Sequence, residues 1–126
     1  MTIVVKIGGA ALEDPEILRK CARAIAELAQ DGHRVAVVHG GGKALTRVLK
    51  QLGKESEFVN GLRITDAETR DVALMVLGGM VNKKLVAAIQ ASGMLGVTLL
   101  VLGFLGTAVG TILGLRRLAT ASSRRG

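Results

Sequence analysis

The chain has 126 residues and a formal net charge of +7, and 49% of its residues are hydrophobic. This length and apolar content fit one folded domain and exclude a disordered chain. Aromatic residues make up only 2%, too few for the stacking surfaces that bind nucleic-acid bases. The first 84 residues carry 13 basic and 10 acidic side chains, so they do not form the strong basic patch of a nucleic-acid-binding domain.

The single cysteine, Cys21, excludes an intramolecular disulfide and a cysteine-based zinc site. It falls within a helical pattern, where we expect it to act as a small hydrophobic side chain of the core. The opening residues, MTIVVKIGG, are strand-like and lack the basic start and long apolar stretch of a secretory signal. We therefore expect a cytoplasmic protein, in a reducing compartment.

The first predicted elements are a strand and a helix. TIVVKI (residues 2–7) is short, apolar and rich in β-branched residues, and Gly8 and Gly9 end it. Asp14 is a suitable N-cap, and Pro15 is a suitable first residue, for a helix whose apolar residues recur every three or four positions.

The second predicted strand ends in three consecutive glycines. RVAVVH (34–39) reads as a buried strand, and Gly40, Gly41 and Gly42 follow it and open the helix KALTRVLKQLG. The alternation of strands and helices predicts an α/β fold with a mainly parallel sheet sandwiched by helices.

A polar stretch and a long helix follow. ESEFVNGLRITDAET (55–69) contains an Asn-Gly pair and predicts a hairpin that leaves the sheet. Thr65 or Asp66 can cap the helix that begins there, and we expect this helix to bend near the Gly-Gly pair at 78–79.

The composition changes after Lys84. Residues 85–115 carry no charge, and the segment 94–115 is apolar and rich in glycine. One interpretation is a membrane span with small residues four apart and a basic flank; the other is a buried strand followed by a glycine-rich helix. We therefore divide the chain into a lobe at 1–93 and a divergent apolar segment with a basic end at 94–126.

The glycine turns are the strongest candidates for a binding site. They follow two predicted parallel strands, whose carboxyl ends meet at one edge of a sheet. Backbone N–H groups without side chains can approach a phosphate closely there, and Lys6 can extend a cation over the same point. The alternative is that both turns are only tight connections and that Lys6 reaches solvent. The P-loop pattern GxxxxGK[ST] does not occur.

Two further side chains are candidates. His39 precedes the triple glycine and could act as a base, but a structural role is favoured because no carboxylate is paired with it in the sequence pattern. Arg63, in NGLRITD, could clamp a carboxylate with its planar guanidinium, and a surface ion pair is the alternative. We expect no metal ligands in this chain.

Four motifs together make a family resemblance specific. VVKIGGAAL, VVHGGGKAL, FVNGLRITDAETRDVALMVLGG and VNKKLVAAI have the order and spacing of the N-terminal half of the N-acetylglutamate kinases, within the amino-acid kinase family. The chain resembles them over about residues 2–93. The resemblance implies transfer of the γ-phosphoryl group of ATP, with Mg²⁺, to the γ-carboxylate of N-acetyl-L-glutamate in arginine biosynthesis. In this family the N-lobe holds the acyl amino acid and the C-lobe holds ATP.

The resemblance also implies roles for particular residues. Lys6 matches the lysine that contacts the transferred phosphoryl group, and Gly8 and Gly9 match the glycines beside it. Gly41 and Gly42 match glycines whose N–H groups hold the substrate and the phosphoryl group.

Arg63 matches the arginine that clamps the α-carboxylate of the substrate. The helix residues ALMVLGGMVNKKL (73–85) match positions of packing and subunit contact, which makes a homo-oligomer compatible with the resemblance.

The resemblance ends near Gly93. Family members are longer, and their second substrate-binding asparagine, organising aspartate, second lysine and nucleotide pocket have no counterpart in this sequence. We therefore expect a truncated or frame-shifted product or a fragment, inactive in isolation, that at most binds the acyl amino acid. A membrane-anchored interaction module is the alternative.

Overall fold

The computed structural model describes residues 1–93 of the chain. The segment 94–126, including the membrane span or buried strand expected at 94–115, lies outside the described residues, and the division of the chain at Gly93 stays a prediction.

Two parallel strands form the sheet of the described lobe. Strand β1 (Thr2–Ile7) pairs with strand β2 (Arg34–His39), and Ile7 lies opposite His39 at the carboxyl ends. The prediction of parallel strands with helices is confirmed. Val4, at 69% exposed, shows that one face of β1 is uncovered by residues 1–93, so a sheet sandwiched on both faces stays a prediction.

Three helices follow the strands along the chain. Helices α1 (Gly9–Glu13) and α2 (Pro15–Gln30) lie between β1 and β2, and helix α3 (Gly42–Gln51) follows β2. The carboxylate of Asp14 accepts hydrogen bonds from the backbone N–H groups of the next two non-proline residues at 2.8 and 3.1 Å, as expected of the N-cap of α2. Sequence reasoning missed α1, because five residues are too few for a helical periodicity.

A small antiparallel hairpin leaves the sheet, as predicted. Strand β3 (Phe58–Val59) pairs with strand β4 (Leu62–Arg63). The turn residues Asn60 and Gly61 have φ angles of 50° and 77°, the positive values that a tight two-residue hairpin turn requires. The turn sequence thereby fixes the register, which places Phe58 opposite Arg63.

The long predicted helix is continuous but not regular. It consists of α4 (Ala67–Ala73), a π-helical stretch (Leu74–Val81) and α5 (Asn82–Ala91). Asp66 is its N-cap and accepts a hydrogen bond from the backbone of Thr69 at 2.8 Å. The Gly-Gly pair lies inside the π-helical stretch, which is where the sequence predicts a departure from a straight α-helix.

The hydrophobic core lies where the helices meet. Helix α2 packs against α5, and α3 packs against α4 and the π-helical stretch. Ala22, Leu85 and Ile89 are completely buried at these contacts. By length and composition alone, the helix Ala67–Ala91 could cross a membrane. Its buried residues form part of this core, whereas Leu74, Met75 and Met80 on the same helix are exposed.

An ion-pair cluster joins the end of α3 to the start of α4. The Lys54 amine lies 2.6 Å from a carboxylate oxygen of Asp66 and 2.7 Å from one of Glu68. The hydrogen bond from Lys54, followed by that from the backbone N–H of Thr69, holds the pKa of Asp66 well below its usual range. Asp66 therefore acts both as helix cap and as ion-pair partner.

We expect Asp66→Asn to reduce the dependence of stability on pH in acid. Because the pKa is lower in the folded chain, ionised Asp66 stabilises the fold above its unfolded pKa of about 3.9, and this contribution is lost as the pH falls further. Urea unfolding between pH 7 and pH 2 measures the effect. The control Asp71→Asn removes a similarly exposed carboxylate, 61% against 59%, that pairs with Arg70. Equal pH profiles for wild type and Asp66→Asn would contradict the prediction.

Candidate active site

The two glycine turns contact each other backbone against backbone. The N–H of Gly40 donates to the carbonyl of Ile7 at 3.0 Å, which ties the second turn to the end of β1. A Cβ atom added to Gly9 would lie 3.3 Å from the nitrogen of Gly41, and one added to Gly40 would lie 3.2 Å from the nitrogen of Gly9. The structure thus brings both turns to one edge of the sheet, and glycine at 9 and 40 permits their close approach.

Gly8 and Gly42 have a different environment. A Cβ atom at either position would meet no atom within 4 Å. Gly42 is the first residue of the ten-residue helix α3, whose first N–H groups have no acceptor within the helix. Glycine at 42 is therefore not required by packing, and it leaves the start of α3 open to a ligand. At Gly41, by contrast, a Cβ atom would collide with the Cδ2 atom of Leu77.

Lys6 lies near the carboxyl end of β1, opposite Val38, and is exposed. It lines a cavity of about 230 Å³ together with Gly8 and Cys21. Gly42 and Arg63 line a different cavity. Within the described lobe, the candidate residues therefore line two separate cavities. The glycine turns beside these cavities contact each other at Gly9 and Gly41.

Arg63 reaches from the hairpin to the first turn of α3. Its Nη2 atom lies 2.7 Å from the hydroxyl of Thr46 and 3.4 Å from the carbonyl oxygen of Gly42, and its Nη1 atom donates to the hydroxyl of Ser56. The guanidinium carbon lies 4.6 Å from the centre of the Phe58 ring, within cation–π range. Partial burial lowers the pKa of Arg63, but an arginine remains charged at neutral pH.

Arg63 borders a cationic groove of about 750 Å³, within the size range of small-molecule sites. Among the described residues, no carboxylate lines it, and the cations of Lys43, Lys50 and Arg63 at its border would suit a small anion. Arg47 pairs with Glu13 at 2.7 Å, which links α3 to α1. The lining residues are Gly42, Lys43, Thr46, Arg47, Lys50, Gln51, Phe58 and Arg63.

His39 has the environment of a structural residue. It is 2% exposed, and its Nδ1 atom lies 2.8 Å from the carbonyl oxygen of Gly40. Because a carbonyl oxygen only accepts, Nδ1 carries the proton in this contact. Its Nε2 atom is buried and has no hydrogen-bond partner within residues 1–93. The contact holds the triple-glycine turn and fits the structural alternative for His39.

Sequence reasoning missed Thr46, Ser56 and Phe58. Two of them were recoverable from simple geometry. Thr46 lies four residues after Gly42 and so shares its face of α3. Phe58 lies opposite Arg63 once the two-residue turn is recognised. The Ser56 contact depends on how the loop before the hairpin folds, which no local pattern gives.

Metal-ligand side chains are not clustered in residues 1–93. No group of three or more His, Cys, Asp or Glu side chains in this part of the chain is placed to hold a metal ion. Mg²⁺ is usually held by one or two carboxylates together with substrate phosphates and water, so a nucleotide-bound Mg²⁺ would not need such a group.

Curated relatives match the N-terminal three quarters of the chain. The acetylglutamate kinase of Acidobacterium capsulatum is 70% identical over 93 residues, which is 74% of this chain and 36% of that protein. The acetylglutamate kinase of Koribacter versatilis is 63% identical over 93 residues, with the same coverage of 74% and 36%. The chain spans about a third of the length of these relatives.

Solved structures share the fold of the lobe. The protein smu.665 from Streptococcus mutans superimposes with a TM-score of 0.63 at 27% identity, over 74% of this chain and 37% of that one. The N-acetylglutamate synthase of Neisseria gonorrhoeae, complexed with coenzyme A and N-acetyl-glutamate, gives a TM-score of 0.60 at 32% identity, over 72% of this chain and 21% of that one.

The family match extends further than the relatives. The family model described as the amino acid kinase family matches residues 1–122, beyond the point near Gly93 where the quoted motifs end. Together with the parallel strands, the paired glycine turns and the acetylglutamate kinase relatives, this match shows that the chain belongs to the amino acid kinase family.

Proposed function

We propose that the lobe at 1–93 is the acyl-amino-acid-binding part of an acetylglutamate kinase. Such an enzyme transfers the γ-phosphoryl group of ATP to the γ-carboxylate of N-acetyl-L-glutamate in arginine biosynthesis. One observation carries the proposal: Arg63 lies beside Gly42 at the start of α3, in a groove lined by four cationic side chains. The 70% identity to an acetylglutamate kinase over this lobe supports the choice of substrate.

The proposed chemistry explains why the site has glycines and cations but no evident base. A γ-carboxylate is already ionised at neutral pH, so it can attack a phosphoryl group without losing a proton. What the protein must supply is alignment of two anions and neutralisation of their charge. Backbone N–H groups of Gly8, Gly9, Gly41 and Gly42 would do this at close range, and Lys6 would contact the transferred group. ATP supplies the phosphoryl group, and Mg²⁺ shields its charge when both are bound.

Some N–H donors of Arg63 are not used by its contacts with Ser56, Thr46 and Gly42, and these could bind the α-carboxylate. A guanidinium has five N–H donors, and the contacts with Ser56, Thr46 and Gly42 occupy at most three. The donors left are Nε–H and one hydrogen of Nη1, which lie on different edges of the guanidinium, so a bidentate carboxylate contact would take an Nη2 donor from the carbonyl of Gly42, 3.4 Å away. We propose that this contact orients the substrate with its γ-carboxylate toward the glycine turns.

The proposal places the protein in the cytoplasm, with soluble biosynthetic enzymes. A homo-oligomer is part of it, because Leu74 and Met75 are 55% and 65% exposed on the helix whose sequence resembles subunit-contact positions. The alternative of a membrane-anchored module concerns the segment 94–115, which lies outside the described residues.

Arg63→Lys tests this function by calorimetry with N-acetyl-L-glutamate. We expect binding about tenfold to hundredfold weaker, because lysine cannot make the bidentate contact and loss of a charged hydrogen bond typically costs about 1.5–3 kcal/mol. The control Arg70→Lys changes an exposed arginine on α4 that pairs with Asp71. Unchanged affinity in Arg63→Lys would remove Arg63 from the substrate site.

A further inference from the structure

Thr46 lies between the hairpin arginine and the start of α3. Its hydroxyl oxygen is 2.7 Å from Nη2 of Arg63 and 2.9 Å from the carbonyl oxygen of Gly42. The direction of both hydrogen bonds is fixed, because a guanidinium only donates and a carbonyl only accepts. The hydroxyl therefore donates its single proton to Gly42 and accepts from Arg63. Its single proton is thereby used, and the hydroxyl connects the two residues that border the groove.

The remaining contacts hold the guanidinium from other sides. Ser56 accepts from the second terminal nitrogen, and the Phe58 ring packs 4.6 Å from the guanidinium carbon. The Ser56 and Phe58 contacts arise from the hairpin and the loop before it, so they move with Arg63 if the hairpin moves. Thr46 is different because it belongs to α3. Its hydroxyl gives the closest side-chain contact between the Arg63 guanidinium and that helix in the described structure.

We propose that Thr46 is a positioning residue of the acyl-amino-acid site. Its hydroxyl sets the Arg63 guanidinium against the first turn of α3, so that arginine donors and backbone N–H groups face the same carboxylate-bearing ligand. An arginine side chain has many rotamers, and holding it in place before binding removes the entropic cost of ordering it afterwards. This inference rests on the proposed function, since it assumes that Arg63 binds the α-carboxylate.

Affinity for two ligands that differ only in the α-carboxylate tests the role of Thr46. N-acetyl-L-glutamate carries the α-carboxylate, whereas 4-acetamidobutyrate is the same molecule without it and keeps the acetamido group and the other carboxylate. We expect Thr46→Val in the 126-residue chain to bind N-acetyl-L-glutamate about fivefold to tenfold more weakly, the effect of losing one hydrogen bond of ordinary strength. Binding of 4-acetamidobutyrate should not change. Thr46→Ser, which keeps the hydroxyl, should restore the wild-type affinity.

A matched control separates positioning from a general loss of packing. Thr65 donates to the backbone carbonyl of Arg63 at 3.0 Å but does not contact the guanidinium. Thr65→Val should therefore leave the preference for N-acetyl-L-glutamate intact. If Thr46→Val does not fold by circular dichroism, Thr46→Ala, with its higher helix propensity, replaces it.

The outcomes distinguish this inference from the proposed function. If wild type prefers N-acetyl-L-glutamate and Thr46→Val keeps the full preference, the positioning role is wrong while the proposed function stands. If Thr46→Val weakens both ligands equally, Thr46 is only structural. If the wild-type chain binds both ligands equally well, Arg63 does not bind the α-carboxylate, and both the proposed function and the inference are wrong.

Discussion

Gly42→Ala is expected to abolish detectable binding of N-acetyl-L-glutamate while leaving the chain at least as stable as wild type. The added Cβ atom meets nothing within 4 Å in the protein, so packing tolerates it. Alanine also reduces the freedom of the unfolded chain, which stabilises a compatible position by about 0.4–1 kcal/mol. The methyl group instead occupies the groove beside the first turn of α3, where the ligand must approach the backbone.

Gly40→Ala provides the opposite control. Its Cβ atom would lie 3.2 Å from the backbone nitrogen of Gly9, and backbone cannot rotate aside as a side chain can. The turns must separate, and such overpacking typically costs about 1–3 kcal/mol. Urea unfolding and calorimetry on both variants check the contrast. Unchanged affinity in Gly42→Ala would mean that the ligand does not approach the start of α3, and unchanged stability in Gly40→Ala would mean that the turns are not in contact.

The elements of the fold were predictable where short-range chemistry determines them. Asp14 and Pro15 mark the start of α2 because a cap and a fixed φ act within one helical turn. The Asn-Gly pair defines the hairpin and its register for the same reason. The pairing of β1 with β2 followed from their alternation with helices, which leaves few topologies.

The site was predictable only in part. The sequence identifies the glycine turns, and the parallel sheet brings them together. It does not show that Gly9 and Gly40 serve close packing whereas Gly42 borders open space, because that difference depends on tertiary contacts. The contact between Thr46 and Arg63 was missed because the hydroxyl of a threonine inside a helix commonly bonds only to the carbonyl four residues earlier, as that of Thr46 also does to Gly42. Its partner, Arg63, is 17 residues away in sequence.

The π-helical stretch could not have been predicted in detail. Its residues, LMVLGGMV, are almost uniformly apolar, so no periodicity identifies one helical form over another. Their placement depends on the neighbouring α3, which packs against this stretch and whose N-cap residue, Gly41, lies beside Leu77. The widened helix therefore borders the same turn that the proposed substrate site uses.

The 126-residue chain is expected to make no detectable acyl phosphate from N-acetyl-L-glutamate and MgATP. Phosphoryl transfer needs both reacting groups held in line and the charge of the nucleotide neutralised by metal and cations. In the proposed function, the lobe at 1–93 would hold the acceptor, and the nucleotide would need a second lobe. The chain also spans only about a third of the length of the acetylglutamate kinases that it matches.

A hydroxamate assay on the purified chain measures this directly, since hydroxylamine displaces phosphate from an acyl phosphate and the resulting hydroxamate forms a coloured complex with ferric ion. Lys6→Ala is the matched control, because Lys6 would contact the transferred phosphoryl group in any active arrangement. Turnover that disappears in Lys6→Ala would contradict the prediction. It would mean that residues 94–126 or a second copy of the chain complete a nucleotide site. Binding of N-acetyl-L-glutamate without turnover is the expected result, because in the proposed site Arg63 and the glycine turns would orient the acceptor, whereas the reaction would also need a donor held opposite them.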